Sequence, residues 1–409
     1  MKSVSQIQNR PQNPQRRKAP LANPYLGTTA ELVAELRPTY PLALLRPQMV
    51  ANRVRQFLNG FPGQTMYAVK CNPEKAILQT MVKTGLRNFD CASIDEIRLV
   101  RKVAPKATIY FMHPVKSRES IREAYHVHGV RAFVLDCVDE LYKILQETDL
   151  APDLELFVRL AIPKSKASVL DLTGKFGASL AEAADLLQRC RPVSVKLGMS
   201  FHVGSQCMQP ERYAKAINLA AGVVKNSGVK LDVLDVGGGF PSTYPNMVPP
   251  PFEAYMEAIR NAVARNRMSG LELLCEPGRG LVADSGSIIV RVEQRKGDLL
   301  YLNDGTYGSL FDAGGQINTI FDVRMHRPDG NDYAAEATAP FRFAGPTCDS
   351  IDMMQGPFML PETIGEGDWI EIRNTGAYCA NMQTRFNGFG QTSLVVMKDP
   401  AVNANVITL

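Results

Sequence analysis

A chain of 409 residues, 45% apolar and 21% charged, has globular composition and room for a barrel-sized domain plus a smaller one. No run of about 18 apolar residues occurs, so a membrane span is not expected. The net charge of +5 is concentrated near the start, where Lys2, Arg10, Arg16, Arg17 and Lys18 meet no acid; the near-neutral remainder argues against a nucleic-acid surface. Residues 1–25, rich in Gln, Asn, Pro and Arg, read as a disordered basic arm. The arm lacks the apolar core of a signal peptide and the amphipathicity of a transit peptide, which places the protein in the cytoplasm.

Further along, short apolar runs rich in β-branched residues fall at 65–69, 87–91, 108–112, 131–135, 154–160, 197–203, 231–236 and 271–276. Amphipathic stretches lie between them, at 74–84, 94–103, 139–148, 180–189, 210–226 and 251–267. Continuous apolar strands alternating with helices describe a parallel sheet covered on its outer face. Eight such units have the count and size of a (β/α)8 TIM barrel, placed here at residues 46–281; an open doubly wound sheet is the alternative. The long connection at 163–179, with Lys164, Ser165, Lys166, Asp171 and Lys175-Phe176-Gly177, reads as a loop over the barrel mouth.

Beyond residue 281 the pattern changes to strands at 287–293, 299–302, 341–344 and 369–373, separated by Gly- and Pro-rich turns. They predict a second, all-β barrel-like domain spanning 282–409, completed by residues 26–45 with a pairing stretch near 30–37. Eight scattered cysteines contain no C-x-x-C pair and read mostly as small buried hydrophobes. Five scattered histidines, His126 and His128 the closest, predict no metal site.

In such a barrel the chemistry belongs at the C-terminal ends of the strands. Lys70 follows the first run, Asp90 lies near the end of the second, Arg159 of the fifth and His202 of the sixth. Gly237-Gly238-Gly239 follows the seventh, and Glu276-Pro277-Gly278-Arg279 closes the eighth. A partly desolvated amine at Lys70 has a lowered pKa and can form a Schiff base near neutral pH. By position alone, a lysine snorkelling at a strand end is the favoured reading. The two glycine segments favour the chemical reading: bare backbone amides and the Arg279 guanidinium, in the loops after strands seven and eight, suit a phosphate. Glu276, in an apolar mouth, needs a cationic or protonated partner, and the pyridine nitrogen of pyridoxal phosphate would serve. His202 could stack on such a ring or be a hydrogen-bonded core histidine.

The blocks at 67–73, 201–205, 237–241, 276–279, 345–350 (Gly-Pro-Thr-Cys-Asp-Ser), 375–378 and 386–389 resemble, in order, the signature blocks of the ornithine/diaminopimelate/arginine decarboxylases. These are pyridoxal 5'-phosphate enzymes of the alanine-racemase fold, and the 345–350 block is nearest the ornithine/lysine branch. The resemblance implies that Lys70 is covalently joined to the cofactor, Glu276 faces its pyridine nitrogen and His202 stacks on its ring. It implies that Ser205, Gly238, Gly239, Gly278, Arg279 and Tyr378 hold the phosphate, with Asp90 and Arg159 in support. Cys348 would return a proton after carbon dioxide leaves, and Asp349 would bind the substrate's distal ammonium. A second acid is implied as well, with Asp322 the candidate and Asp312 the other option. A homodimer with shared active sites and a small basic amino acid substrate, L-ornithine first and L-lysine second, complete the expectation. The alternatives are an amino-acid racemase of the same fold, which would carry Arg where Glu276 stands, and a non-catalytic homologue, which would lose the lysine or the phosphate loop.

Overall fold

The computed structural model describes residues 24–163, 168–170, 174–315, 317–329 and 336–398. Most of the predicted arm, together with Lys164, Ser165, Lys166 and Asp171, lies outside the described residues. Its last residue is anchored: the Tyr25 amide donates to the Val396 carbonyl at 2.8 Å.

Eight parallel strands close a barrel: Gln64–Ala68, Asn88–Cys91, Thr108–Phe111, Ala132–Leu135, Glu155–Arg159, Lys196–Ser200, Val233–Asp235 and Glu272–Cys275. Each apolar run of the sequence supplies one of them, and closure is made by Leu274 pairing with Gln64. The doubly wound alternative is thereby excluded. Met66, Tyr110, Met112, Val134, Phe157 and Leu274 fill the interior, so the barrel is a packed core and not a pore. Gly198 is part of that packing, because a Cβ there would collide with the Phe157 ring. A larger core lies between the strands and the surrounding helices.

Helix Arg118–His126, started by Ser117 accepting the Ser120 amide, has no counterpart among the predicted helices. It carries His126, whereas His128 lies beyond its end and meets Glu123 at 3.0 Å. In the long connection, Ser168–Leu170 pairs antiparallel with Ser205–Cys207, so part of the predicted loop is strand. Phe176, further on, packs edge-on against His113 at 5.1 Å.

The second domain is an eight-stranded mixed sheet in which Gly286–Lys296 pairs with Leu299–Leu302, Trp369–Arg373 and Leu42–Leu45. Val323–His326, Thr338–Ala344, Met353–Pro361 and Ser393–Val396 complete it. The stretch before the barrel pairs through Leu42–Leu45 and not near residue 30. There, Thr28 and Glu31 form a capping box that starts helix Thr29–Leu36, which buries Leu32 and Val33. Six cysteines are buried, while Cys137 and Cys348 are exposed. No helix among the described residues is long and apolar enough to cross a membrane.

Candidate active site

Lys70 leaves the first barrel strand on a single 3-10 turn, Val69–Cys71. Its Nζ donates to Asp90 Oδ2 at 2.8 Å, from the end of the neighbouring strand. The lysine side chain remains 39% exposed while that of Asp90 is fully buried. Burial pulls the lysine pKa down, as the sequence predicts, yet Asp90 and Glu276 outweigh it and hold the amine above its ordinary value. This corrects the expectation of a lowered pKa: two carboxylates in a low-dielectric mouth stabilise the ammonium more than desolvation disfavours it. Lys70 must therefore give its proton to a neighbouring group before it can add to an aldehyde.

The turn is held from the other domain. Asn381 Nδ2 donates to the Lys70 carbonyl at 2.6 Å, the Tyr378 amide to the Cys71 carbonyl at 3.0 Å, and Asn72 Nδ2 to the Gly376 carbonyl at 2.8 Å. Tyr378 adopts φ of 55°, a left-handed conformation uncommon for a bulky residue.

Three buried carboxylates converge here: Asp90, Glu276 and Asp235, the last at the end of the seventh strand. Asp235 Oδ1 accepts the Gly237 amide at 2.9 Å. One oxygen of each acid (Asp90 Oδ1, Asp235 Oδ2 and Glu276 Oε1) has no hydrogen-bond partner. Burial raises the pKa of Glu276, reinforced by Asp235 and Asp90, and burial likewise raises Asp235. Arg159 and Lys70 are the cations that act on Glu276. A buried acid that keeps its proton even with Lys70 and Arg159 nearby, and leaves one oxygen unbonded, fits a site built to receive a cationic ring nitrogen.

The raised carboxyl predicts a measurable pH dependence. In an unfolded chain Asp235 titrates near the ordinary value of about 4. A raised folded value means its contribution to stability is complete below that pH and is lost as pH climbs through the folded value. Asp235→Asn in cofactor-free protein is therefore expected to gain stability relative to wild type as pH rises from about 4 to neutrality. Thermal unfolding across that range tests it, and a difference independent of pH would contradict it.

His202 Nδ1 accepts the Gly204 amide at 3.0 Å, which leaves the proton on Nε2. Burial, aided by Arg159 and Lys70, pushes its pKa well below the usual imidazole value, so the ring is neutral. The ring lies beside Gly238, where a Cβ would come within 3.0 Å of Nε2 and 2.7 Å of the Glu276 carbonyl oxygen. Gly237 and Gly239 hold φ of 68° and 102°, and a Cβ on either would strike the backbone of residues 201–204. The Gly238 carbonyl accepts from Tyr213 at 2.9 Å.

Opposite this turn, Arg279 is buried, with NH1 donating to Tyr244 Oη at 2.9 Å and NH2 2.8 Å from Asp312 Oδ2. The guanidinium lies 5.2 Å from the Tyr378 ring centroid. Its Nε has no partner, which suits it to an incoming anion. Gly278 sits against Cys71, where a Cβ would fall 2.8 Å from the Cys71 Cβ. Ser205 begins the short strand following the His202 loop. The glycine cradle, the orphaned Arg279 Nε and the orphaned Glu276 oxygen together fit pyridoxal phosphate from its anionic tail to its ring nitrogen.

Cys348 and Asp349 lie elsewhere, on the β domain between strands Thr338–Ala344 and Met353–Pro361. Asp349 accepts the Tyr307 hydroxyl at 2.6 Å and the Ile351 amide at 3.1 Å, and these bonds hold its carboxyl below the usual range. The Cys348 amide donates to Asn387 Oδ1 at 3.1 Å. Among the described residues no hydrogen bond, ion pair or ring contact links either residue to Lys70, His202, Glu276 or Arg279. Asp312 is tied to Arg279, and Asp322 pairs with Arg373 at 2.9 Å. Sequence reasoning gave no role to Asp235, Tyr244 or Asn381. Asp235 had a signal, an acid closing an apolar strand, whereas Tyr244 and Asn381 reach the site only through the tertiary fold.

A family model described as pyridoxal-dependent decarboxylase, pyridoxal binding domain, matches residues 48–283. The ornithine decarboxylase of Mus pahari is 33% identical over 376 residues, covering 84% of this chain and 78% of that protein. Antizyme inhibitor 2 of Xenopus laevis is 33% identical over 373 residues, with the same coverage. Among solved structures, the lysine/ornithine decarboxylase of Vibrio vulnificus complexed with putrescine superimposes with a TM-score of 0.75 at 29% identity, covering 91% of this chain and 99% of that one. With a family model matching more than half of its length and relatives at 33% identity, this chain belongs to the pyridoxal-dependent decarboxylases.

Proposed function

We propose that the protein decarboxylates a small basic amino acid, L-ornithine before L-lysine, yielding the corresponding diamine, and that it does so as a homodimer in the cytoplasm. The observation that carries the substrate class is the Asp349 carboxylate, kept ionised by neutral donors and available to a cation. Bound in the barrel mouth, pyridoxal phosphate supplies the sink for the electrons released as carbon dioxide departs. Glu276, given a cation to face, ionises and holds the ring nitrogen protonated. Neutral His202 presents its ring face without adding charge to the site. Gly238, Gly239, Gly278, Ser205, Tyr378 and Arg279 hold the phosphate, while Asp90 orients the Lys70 amine and Arg159 balances the buried acids. Cys348 Sγ, exposed and one residue from the ammonium acceptor, supplies the proton to the carbon that lost its carboxylate.

A second protomer brings these last two residues to the mouth. Cys348 and Asp349 sit on a surface that also displays Ile351, Met382, Phe386 and Phe389, large apolar side chains 40% or more exposed. Such a patch suits burial against another copy. A racemase is disfavoured by Glu276, which stands where that reading requires an Arg to weaken the electron sink. The relation to an antizyme inhibitor leaves a non-catalytic reading as the competitor, and the intact Lys70 and phosphate cradle speak against it.

Carbon dioxide trapping from labelled ornithine, lysine, arginine and diaminopimelate tests this reading; release from neither ornithine nor lysine would overturn it. Asp349→Ala is expected to lower kcat/KM on ornithine by about 100-fold, chiefly through KM, because a desolvated ammonium loses its counter-charge. Cys348→Ala should keep the cofactor and the KM but slow or misdirect protonation, by about 100-fold. Wild-type turnover and product from Cys348→Ala would remove that role.

A further inference from the structure

We propose that the barrel carries a docking groove for an acidic, leucine-bearing segment of a partner protein, on the face opposite the cofactor site. An occupant there would tether the enzyme without covering the mouth where substrate enters.

Two helices build the groove. Helix Glu211–Ser227 leads into strand Val233–Asp235, and helix Phe252–Arg265 leads into strand Glu272–Cys275. Asn266 Nδ2 donates to Asn218 Oδ1 at 2.6 Å and ties the end of the second helix to the side of the first. The helix ends and the loops that follow them enclose a groove of about 830 Å³. Both loops enter their strands at the N-terminal end, away from Lys70, Glu276 and Arg279, which lie at the opposite end of the barrel.

The lining combines apolar surface with uncompensated positive charge. Val224, Val229 and Leu271 are half-buried in it, and Gly222 leaves open space where a side chain would stand. Lys225, Lys230, Arg265 and Arg267 line the same groove and are exposed. Lys225 and Arg265 lie in the last turns of their helices, where a cation complements the helix dipole. The terminal carbonyls there are already bonded, however: those of Ala262, Val263 and Ala264 accept the amides of Asn266, Met268 and Arg267. Lys230 and Arg267 lie in the loops, beyond either helix. The one acid of the lining, Asp232, accepts the Leu197 amide at 2.9 Å and Arg191 NH1 at 2.5 Å, with Lys230 also in its neighbourhood. Among the described residues none of the four lining cations forms an ion pair, so with Arg191 they share a single carboxylate.

That chemistry selects the occupant. A groove whose cations and glycines stand exposed is shallow, which suits a chain segment laid across it better than an enclosed metabolite. No aromatic side chain lines it for bases to stack on, which argues against a nucleic-acid strand. Apolar surface between cations matches a helix whose leucine stripe is flanked by acids.

The test uses the full chain loaded with cofactor and two fluorescein-labelled peptides of equal length and charge. One sets leucines at helical spacing among glutamates, and the other has serines in their place. Anisotropy should show the leucine peptide binding at least about tenfold more tightly, with affinity falling as salt rises. Lys230→Glu/Arg267→Glu should weaken that binding by about 30-fold, and Gly222→Leu, which fills the open space, by about tenfold. Thermal unfolding should identify any variant that misfolds, and the other then decides. Equal affinity for the two peptides overturns the proposal, as does leucine-peptide binding indifferent to the charge reversal or absent at about 1 mM. Tighter binding of a labelled single-stranded oligonucleotide, or displacement of the peptide by an equal concentration of tripolyphosphate, overturns it as well.

Discussion

Lys70→Ala is expected to remove turnover by on the order of 1000-fold or more, together with the cofactor's visible absorption and its fixation by borohydride. Among the described residues no other amine is positioned as this one is, 2.8 Å from the buried Asp90 with its own carbonyl fixed by Asn381. The loss should be chemical and not structural, because the Cα of Lys70 stays anchored through the turn Val69–Cys71. Lys70→Arg provides the control: it keeps a cation beside Asp90, and hence the local charge balance, but offers no amine able to join an aldehyde. Without cofactor, Lys70→Arg should unfold cooperatively near the wild-type temperature, whereas Lys70→Ala, which leaves the buried Asp90 without its cation, should unfold cooperatively at a lower one. Retained absorption and turnover in Lys70→Ala would mean that the cofactor is held elsewhere.

The second large effect belongs to Glu276. Glu276→Gln is expected to reduce kcat/KM by about 100- to 1000-fold, since it removes the charge that keeps the ring nitrogen protonated during the reaction. The same change should leave the cofactor-free protein at least as stable as wild type. There the buried carboxyl holds its proton, pressed by Asp235 and Asp90, and a neutral amide of the same shape relieves that crowding. A slower enzyme on an undiminished scaffold distinguishes an electrostatic role from a packing role. Wild-type rates from Glu276→Gln would assign the nitrogen to Asp235 instead.

The barrel was legible because its signal is local and repeated: each strand is a short apolar run, each helix an amphipathic one, and eight repetitions average out errors at single boundaries. The β domain was less so. Strand Met353–Pro361 alternates irregularly in burial, and Val323–His326 is only four residues long, so neither stands out from its flanking turns. Thr29–Leu36 misled for another reason: its apolar residues suit a strand, but the capping box at Thr28 and Glu31 settles it as helix. Site residues that end barrel strands, such as Asp90 and Glu276, could be placed by position. The direction of the lysine pKa could not, because it depends on how many carboxylates surround one amine, and sequence order does not count neighbours. The attachment of Asp312 to Arg279 and of Asp322 to Arg373 is likewise visible only once strands far apart in the chain are paired.

The grip of Gly376–Asn381 on the Lys70 turn has a bearing on how the protein is made. Barrel strands are all synthesised by Cys275, yet the bonds that settle the reactive turn come from residues a further hundred positions along. During translation the barrel can collapse early, as N-terminal units do, with its key amine not yet fixed in place. Firm capture of the cofactor is therefore expected only once nearly the whole polypeptide has emerged, and products truncated before Gly376 should stay colourless and inert.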